Sequence, residues 1–345
     1  MENFFNFTSN PRDMLSSRST RWIKYGALIL MVAQNSAFVL VMRFSRKQQD
    51  VSNASHGATY NISMVVTLQE LFKLILCFAI LAAQHRSIHA ALSPLRKPKE
   101  LVRISVPAAC FTLQNNVLYI ALSNLDPLLF QITYQVKTLL TALLSVRMLG
   151  RSFGRFQWLS QVLLTAGIVL VQLNDQPKDA LPGSPDRNPL LGMGAVLSAA
   201  FSSSFASVYF EKILKGRTRD GPVVQPPSSL WFTNVQLCAW TVPMNLVLAM
   251  LQSDGSAALT DPLRGFERST WAVIVVNGFG GLLVAVVIKY ADNILKGFAT
   301  AGAIILTGVL APTLSLGPPP NALLATGTIC VVGALGLYST AAPAV

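Results

Sequence analysis

Ten apolar stretches, each about the 20 residues an α-helix needs to cross a bilayer, run through this chain and leave little else to fold. They occupy residues 22–43, 62–84, 101–123, 127–149, 156–173, 189–214, 230–251, 270–291, 294–314 and 322–340. Inside hydrocarbon a backbone amide or carbonyl has no water to bond, so segments of this length and composition are read as helices. The expected fold class is an all-α membrane protein of ten transmembrane helices. Charged residues make up only 12% of the chain, against about 25% in soluble domains. The first apolar stretch is too long for a signal peptide and lacks a cleavage site, so it is read as a retained helix.

The net charge of +12 would suit a nucleic-acid binder if it were concentrated on one face. It is instead scattered in short clusters between apolar stretches, as in cytoplasmic loops of membrane proteins. Ten spans put both termini on one side. With the N-terminus cytosolic, sixteen lysines and arginines of the loops and adjoining span ends fall inside and six outside, the bias that the positive-inside rule requires. Ten spans also divide as five plus five about residues 175–187. Five is odd, so the second half enters the membrane in the opposite orientation, an inverted repeat of the kind found in transporters. On this reading residues 1–21 form a cytosolic N-terminal tail and 22–345 the ten-helix transporter domain. The first repeat takes about 22–173 and the second about 189–340. Asn53 (NAS) and Asn61 (NIS) fall in the first lumenal loop as glycosylation candidates, while Asn6 (NFT) is on the cytosolic side.

Polar residues inside the spans point to function. Lys137 and Lys289 lie within apolar stretches four and eight, and an ammonium at the bilayer centre costs roughly 2.5–3.5 kcal/mol on insertion scales. No carboxylate lies within helical reach of Lys137, so its counter-ion is either a distant partner or an anionic cargo. Span three carries Gln114-Asn115-Asn116, an interhelical hydrogen-bond clasp or a donor–acceptor edge for a pyrimidine. Gln131, Tyr134, Gln135 and Thr138 share one face of span four; Tyr134 either fills the core or stacks on a base. Glu70 and Lys73, three apart, are read as a structural ion pair. Arg43 is read as snorkelling to the interface, with a gate contact to Glu70 as the alternative. Tyr209, Glu211 and Lys212 are read as a solvated helix end, and Lys289 with Lys296 at another cytosolic end either attract an anionic cargo or serve as positive-inside anchors. Small residues crowd span six, chiefly for close packing. The four cysteines lie inside spans, with no disulfide framework and no metal spacing.

Four segments carry a resemblance: 112–126 (TLQNNVLYIALSNLD), 131–137 (QITYQVK), 208–215 (VYFEKILK) and 287–300 (VIKYADNILKGFAT). The chain resembles the Golgi nucleotide-sugar transporters, in the branch that carries UDP-galactose, UDP-N-acetylglucosamine and CMP-sialic acid. The resemblance runs from Arg21 to Tyr338. It implies the drug/metabolite transporter fold and exchange of cytosolic nucleotide sugar for lumenal nucleoside monophosphate in the Golgi membrane, with no cofactor. It assigns Asn115 and Asn116 to the base and Gln131, Tyr134 and Lys137 to the central cavity. Lys137 and Lys289 fall near the phosphates, and Ser203, Tyr209 and Asn234 near the sugar or its gate. Gln34-Asn35, the run ADNILK and Phe130 favour the UDP-sugar carriers over CMP-sialic acid carriers, and Phe130 leans toward the UDP-galactose transporters. Ser204 and Ser207 depart from glycines usual in the family, Phe232-Thr233 departs before Asn234, and 301–308 lacks the usual serine-rich run. The implied partners are a UDP-sugar, UMP and membrane lipid, and a homodimer is left open.

Two rivals belong to other classes. An intramembrane enzyme would need a histidine pair, a paired acidic metal motif or a nucleophile elbow, and the sequence has none of these. An anion channel would conduct without saturable exchange. Neither explains the amide and lysine pattern as well as a carrier does.

Overall fold

The computed structural model describes residues 18–52, 62–87, 92–125, 127–174, 188–215, 229–251 and 268–340, with 217–218, 221–222 and single positions 89, 263 and 266 besides. Residues 1–17, the glycosylation candidates Asn6, Asn53 and Asn61, and the expected midpoint at 175–187 lie outside the described residues.

All ten expected stretches are helical, and one is split. The helices are α1 (Arg18–Ser52), α2 (Ile62–His85), α3 (Pro98–Asn124), α4 (Pro127–Tyr134), α5 (Val136–Leu149), α6 (Arg155–Asn174), α7 (Pro189–Lys215), α8 (Leu230–Leu251), α9 (Arg268–Tyr290), α10 (Asn293–Thr313) and α11 (Ala322–Thr340). A 3₁₀ turn, Ser93–Arg96, precedes α3, and a two-residue hairpin, Arg217–Thr218 with Gly221–Pro222, follows α7. The fourth stretch breaks at Gln135. There the Gln135 N–H bonds the Ile132 carbonyl at 3.1 Å and the Thr138 N–H bonds the Gln135 carbonyl at 2.9 Å. Both are steps of three residues rather than four, a local tightening. Gly150 closes α5 in the left-handed conformation, φ 63°, which glycine adopts without steric cost.

Among the described residues, eight helices are long and apolar enough to cross a membrane: α1, α2 and α6 to α11. The other two stretches differ for physical reasons. The central amides of α3 lower its hydropathy, and α4 and α5 are each too short alone. Burial is inverted relative to a soluble protein. Ile29, Leu190 and Ile329 are exposed, whereas Gln161, Asn234, Asn245 and Asn293 are buried. Apolar side chains that face outward from a bundle with an amide-rich interior suit a lipid surround.

Packing follows a definite pairing. The main contacts are α6 with α11, α3 with α7, α2 with α8, α1 with α9 and α10, and α5 with α7. Where α6 meets α11 the backbones nearly touch. A Cβ on Gly327 would lie 2.7 Å from the Gly167 carbonyl oxygen, and one on Gly167 would lie 2.9 Å from that of Gly327. Small residues permit such an approach, which is how helices gain contact without a hydrophobic driving force. Along α7, Ala195, Ala199, Ala200 and Ala206 are likewise buried, as the packing reading of that span requires.

At one end of the bundle a set of charges ties three connections together. Glu211 on α7 is fully buried and accepts from Arg151 Nη2 (2.5 Å), Lys215 Nζ (2.7 Å), the Asn293 backbone N–H (3.1 Å) and Asn293 Nδ2 (2.8 Å). Arg151 also pairs with Asp292 at 3.2 Å, and Lys215 donates to the Ala291 carbonyl at 2.6 Å. This corrects the expectation of a solvated end at Tyr209–Lys212. Four donors converge on one carboxylate, so Glu211 has no need of water. Asp292 accepts from the Leu295 N–H at 2.7 Å and caps α10. Burial pushes its carboxyl upward, but Arg151, Lys215 and the cap bond outweigh that and hold it below the usual range. The other expected pair forms as read, with Lys73 Nζ 2.6 Å from Glu70. Arg43 meets no gate at Glu70; its guanidinium donates to the Leu316 carbonyl at 3.2 Å.

Two outcomes follow from this packing. Gly327→Ala forces α6 and α11 apart and lowers the thermal midpoint in detergent, a loss of about 1–3 kcal/mol. Gly194→Ala, with nothing within 4 Å of the added atom, is neutral or gains up to about 1 kcal/mol. Asp292 has a depressed pKa, so its contribution to stability is complete at neutral pH. It begins to be lost below about pH 3.9, the unfolded value, and is gone once the pH passes the folded one. Thermal melts across that range are therefore steeper in wild type than in Asp292→Asn.

Candidate functional site

Two cavities meet inside the bundle. The first, about 260 Å³, is enclosed by α1, α2, α3, α7, α8, α9 and α10. The second, about 280 Å³, lies between α4, α5, α6, α7 and α10. Ser207 of α7 and Lys296 of α10 line both. Lys296 Nζ donates to Ser207 Oγ at 3.3 Å, so the junction carries an ammonium held by a single neutral hydroxyl.

The first cavity is walled by Gln34, Asn35, Glu70, Lys73, Asn115 and Asn234 among others. Asn115 and Asn234, both nominated by sequence, thus share one wall. Asn234 is buried, and its Nδ2 donates to the Leu230 carbonyl at 2.9 Å. The second cavity gathers Gln131, Tyr134, Lys137 and Ser203. The break at Gln135 falls within this wall. A helix interrupted beside a cavity is acceptable at membrane depth because its backbone is screened from lipid by protein.

Three nominated residues line neither cavity. Asn116 turns its Nδ2 back to the Thr112 carbonyl at 2.7 Å. Tyr209 packs on Phe205, ring centroids 5.8 Å apart. Lys289, in the last turn of α9, lies 5.8 Å from the Tyr290 ring. In its stead the structure brings in Lys296. The signal for it was present in sequence. Asp292 is an N-cap residue, which starts the next helix at Asn293 and sets Lys296 one turn inside it, at membrane depth.

Lys137 and Lys296 therefore belong to one cavity from two different helices. Among the described residues neither has a carboxylate within ion-pair distance. Lys137 Nζ instead sits 4.4 Å from the Tyr134 ring centroid, and Tyr134 stacks on Phe130 at 5.7 Å. A ring face compensates a cation only in part, about 0.5–2 kcal/mol, so the site retains an unneutralised positive field. The backbone beneath Lys137 is pinned: Thr141 Oγ1 and Ser204 Oγ lie 2.7 and 2.9 Å from its carbonyl oxygen. Ser204 and Ser207 thus reach both lysine-bearing helices, Ser204 at Lys137 and Ser207 at Lys296. Chemically the arrangement suits an anionic group at the lysines, with hydrogen-bonding amides on either side. Among the described residues no cluster of histidine, cysteine or carboxylate is disposed to hold a metal ion.

Comparison with known proteins agrees with this chemistry. The family model for nucleotide-sugar transporters matches residues 19–339. The UDP-N-acetylglucosamine transporter of Homo sapiens is 38% identical over 327 residues, covering 92% of this chain and 95% of that protein. The UDP-galactose translocator of Bos taurus is 39% identical over 333 residues, covering 94% of this chain and 79% of that protein. A solved crystal structure at 18% identity shares the fold, with a TM-score of 0.66 over 94% of this chain and 98% of that one. The two named relatives are transporters rather than enzymes. The chain is a multi-pass membrane protein that belongs to the nucleotide-sugar transporter family.

Proposed function

We propose that the protein is an antiporter that carries UDP-galactose, UDP-N-acetylglucosamine or both from the cytosol into the Golgi lumen in exchange for UMP. The observation that carries this reading is the pair Lys137 and Lys296 on one cavity, with no carboxylate among the described residues within ion-pair distance of either. A diphosphate supplies the missing charge, and lysines serve as point charges toward phosphate. The uracil faces Asn115 in the first cavity, the diphosphate bridges the junction at Lys296 and Lys137, and the hexose occupies the second cavity. Gln131 and Ser203 then border the hexose, with Tyr134 against its apolar face. Relatives named for UDP-N-acetylglucosamine and UDP-galactose support a UDP-linked cargo.

The pairing of helices supports ten spans in two inverted halves that alternate access. Counting α4 and α5 as the fourth span, α6 to α11 are spans five to ten. If span n corresponds to span n+5, the contact between three and six maps onto that between eight and one, and both are present. Likewise one with nine maps onto six with four, while two with seven and five with ten map onto themselves. Rocking of one half on the other then exposes the shared cavity to each side in turn. With both termini cytosolic, the Arg151–Glu211–Asp292 cluster lies at the cytosolic end, where it holds that entrance shut.

Antiport follows from the same charges. An empty cavity leaves two ammonium groups in a low dielectric, so the unloaded carrier returns slowly and the UMP-loaded one quickly. In proteoliposomes preloaded with UMP, the expected result is saturable uptake of a UDP-sugar that exceeds uptake of CMP-sialic acid and of unloaded controls. Lys137→Gln and Lys296→Gln each reduce that uptake at least about tenfold, the loss of one charge-assisted contact. Lys289→Gln has a much smaller effect. Equal uptake in empty and UMP-loaded vesicles contradicts the exchange.

A further inference from the structure

Two amide groups in the second cavity are incompletely bonded, and the lysines do not account for them. Gln161 of α6 and Asn293 at the start of α10 line this cavity and are 1% and 2% exposed. The orientation of Asn293 is fixed by its neighbours. Its Nδ2 lies 2.8 Å from both the Ser207 carbonyl and Glu211 Oε2, which accept and cannot donate. Its Oδ1 therefore occupies the opposite edge, where it has no partner. Gln161 Nε2 reaches only Ser160 Oγ at 3.5 Å, and its Oε1 is also without a partner. Buried acceptors left unmet are rare in native structures and costly, so two around one cavity indicate a ligand that donates.

A bare phosphate satisfies the ammonium groups of Lys137 and Lys296 but offers no donor when ionised. A phosphate bearing a polyhydroxylated ring offers both. We propose that Gln161 and Asn293 are the hydroxyl-reading end of the cavity, accepting hydrogen bonds from the hexose attached to the diphosphate. This rests on the nucleotide-sugar reading above and extends it to residues that discriminate the sugar. Asn293 also links the two functions of this region. The amide whose oxygen is left unmet beside the cavity has its nitrogen on Glu211, the buried centre of the charge cluster, so sugar contact and entrance share one side chain. The relation between a neutral acceptor and a hydroxyl is selective because an analogue lacking that hydroxyl leaves the acceptor unpaired.

The test measures KM in UMP-loaded proteoliposomes for UDP-galactose, UDP-N-acetylglucosamine and analogues of each lacking one hexose hydroxyl. In wild type at least one such deoxy analogue has a KM raised about tenfold or more. In Gln161→Met, which keeps the volume and removes the acceptor, the parent sugar weakens about tenfold relative to UMP and the penalty for that analogue disappears. Two results overturn the proposal. One is a wild type that tolerates removal of every hexose hydroxyl, a measurement independent of how well the variant folds. The other is a variant in which UMP and UDP-sugar weaken equally, which assigns Gln161 to the ribose or to packing. Failure of wild type to exchange any nucleotide sugar is a separate outcome and removes the underlying reading instead.

Discussion

An ammonium group inside a membrane protein must be neutralised, solvated or held beside something it can bind, and the disposition of this bundle follows from which solution each lysine receives. Lys73 is answered by Glu70 at 2.6 Å and Lys215 by Glu211 at 2.7 Å. Both pairs are local steps of three and four residues on one helix, and each is backed by further hydrogen bonds. Among the described residues, Lys137 and Lys296 receive only a ring face and a serine hydroxyl. The energetic asymmetry is large, because an unpaired charge in a low dielectric carries most of its desolvation penalty. A fold that spends carboxylates on two lysines and withholds them from two others facing one cavity keeps a place for a mobile anion.

The same asymmetry separates the charge cluster from the lysine cavity. The Glu211 cluster gathers the loop after α5, the end of α7 and the junction between α9 and α10 at one point. Its charges are matched, Arg151 and Lys215 against Glu211 and Asp292, so the cluster needs no outside counter-ion. The lysine cavity lies immediately inward, joined to the cluster through Ser207 and Asn293. On the proposed reading, an anion at Lys296 would act on residues bonded to Glu211 through Ser207 and Asn293. Elsewhere the Gly167–Gly327 contact joins α6 and α11 backbone to backbone.

Much of this was legible before any coordinates. Helix positions followed from apolar length alone, since hydrocarbon permits few other backbones. Lys137 stood out because local sequence offers it no anion, and Gln131, Tyr134 and Ser203 do gather around it. What escaped was set by rotation about helix axes and by long-range partners. Adjacent asparagines Asn115 and Asn116 differ by about 100° around α3, so one lines a cavity and the other bonds its own backbone. Glu211 read as a solvated end because its partners Arg151 and Asn293 are 60 and 82 residues away. Lys289 and Lys296 both flank one short connection, and only the placement of the Asp292 cap distinguishes the helix end from the cavity wall. The break at Gln135 carries no glycine or proline to announce it.

The central claim is that two uncompensated lysines recognise the phosphates of the cargo. The most direct measurement is calorimetric binding of uridine, UMP and UDP to the purified protein at fixed salt. The account predicts affinity that rises with each phosphate added, with uridine weakest, and a gain that shrinks as ionic strength increases. Uridine binding as tightly as UMP and UDP would contradict it, since the lysines would then face the cavity without serving as its anion site.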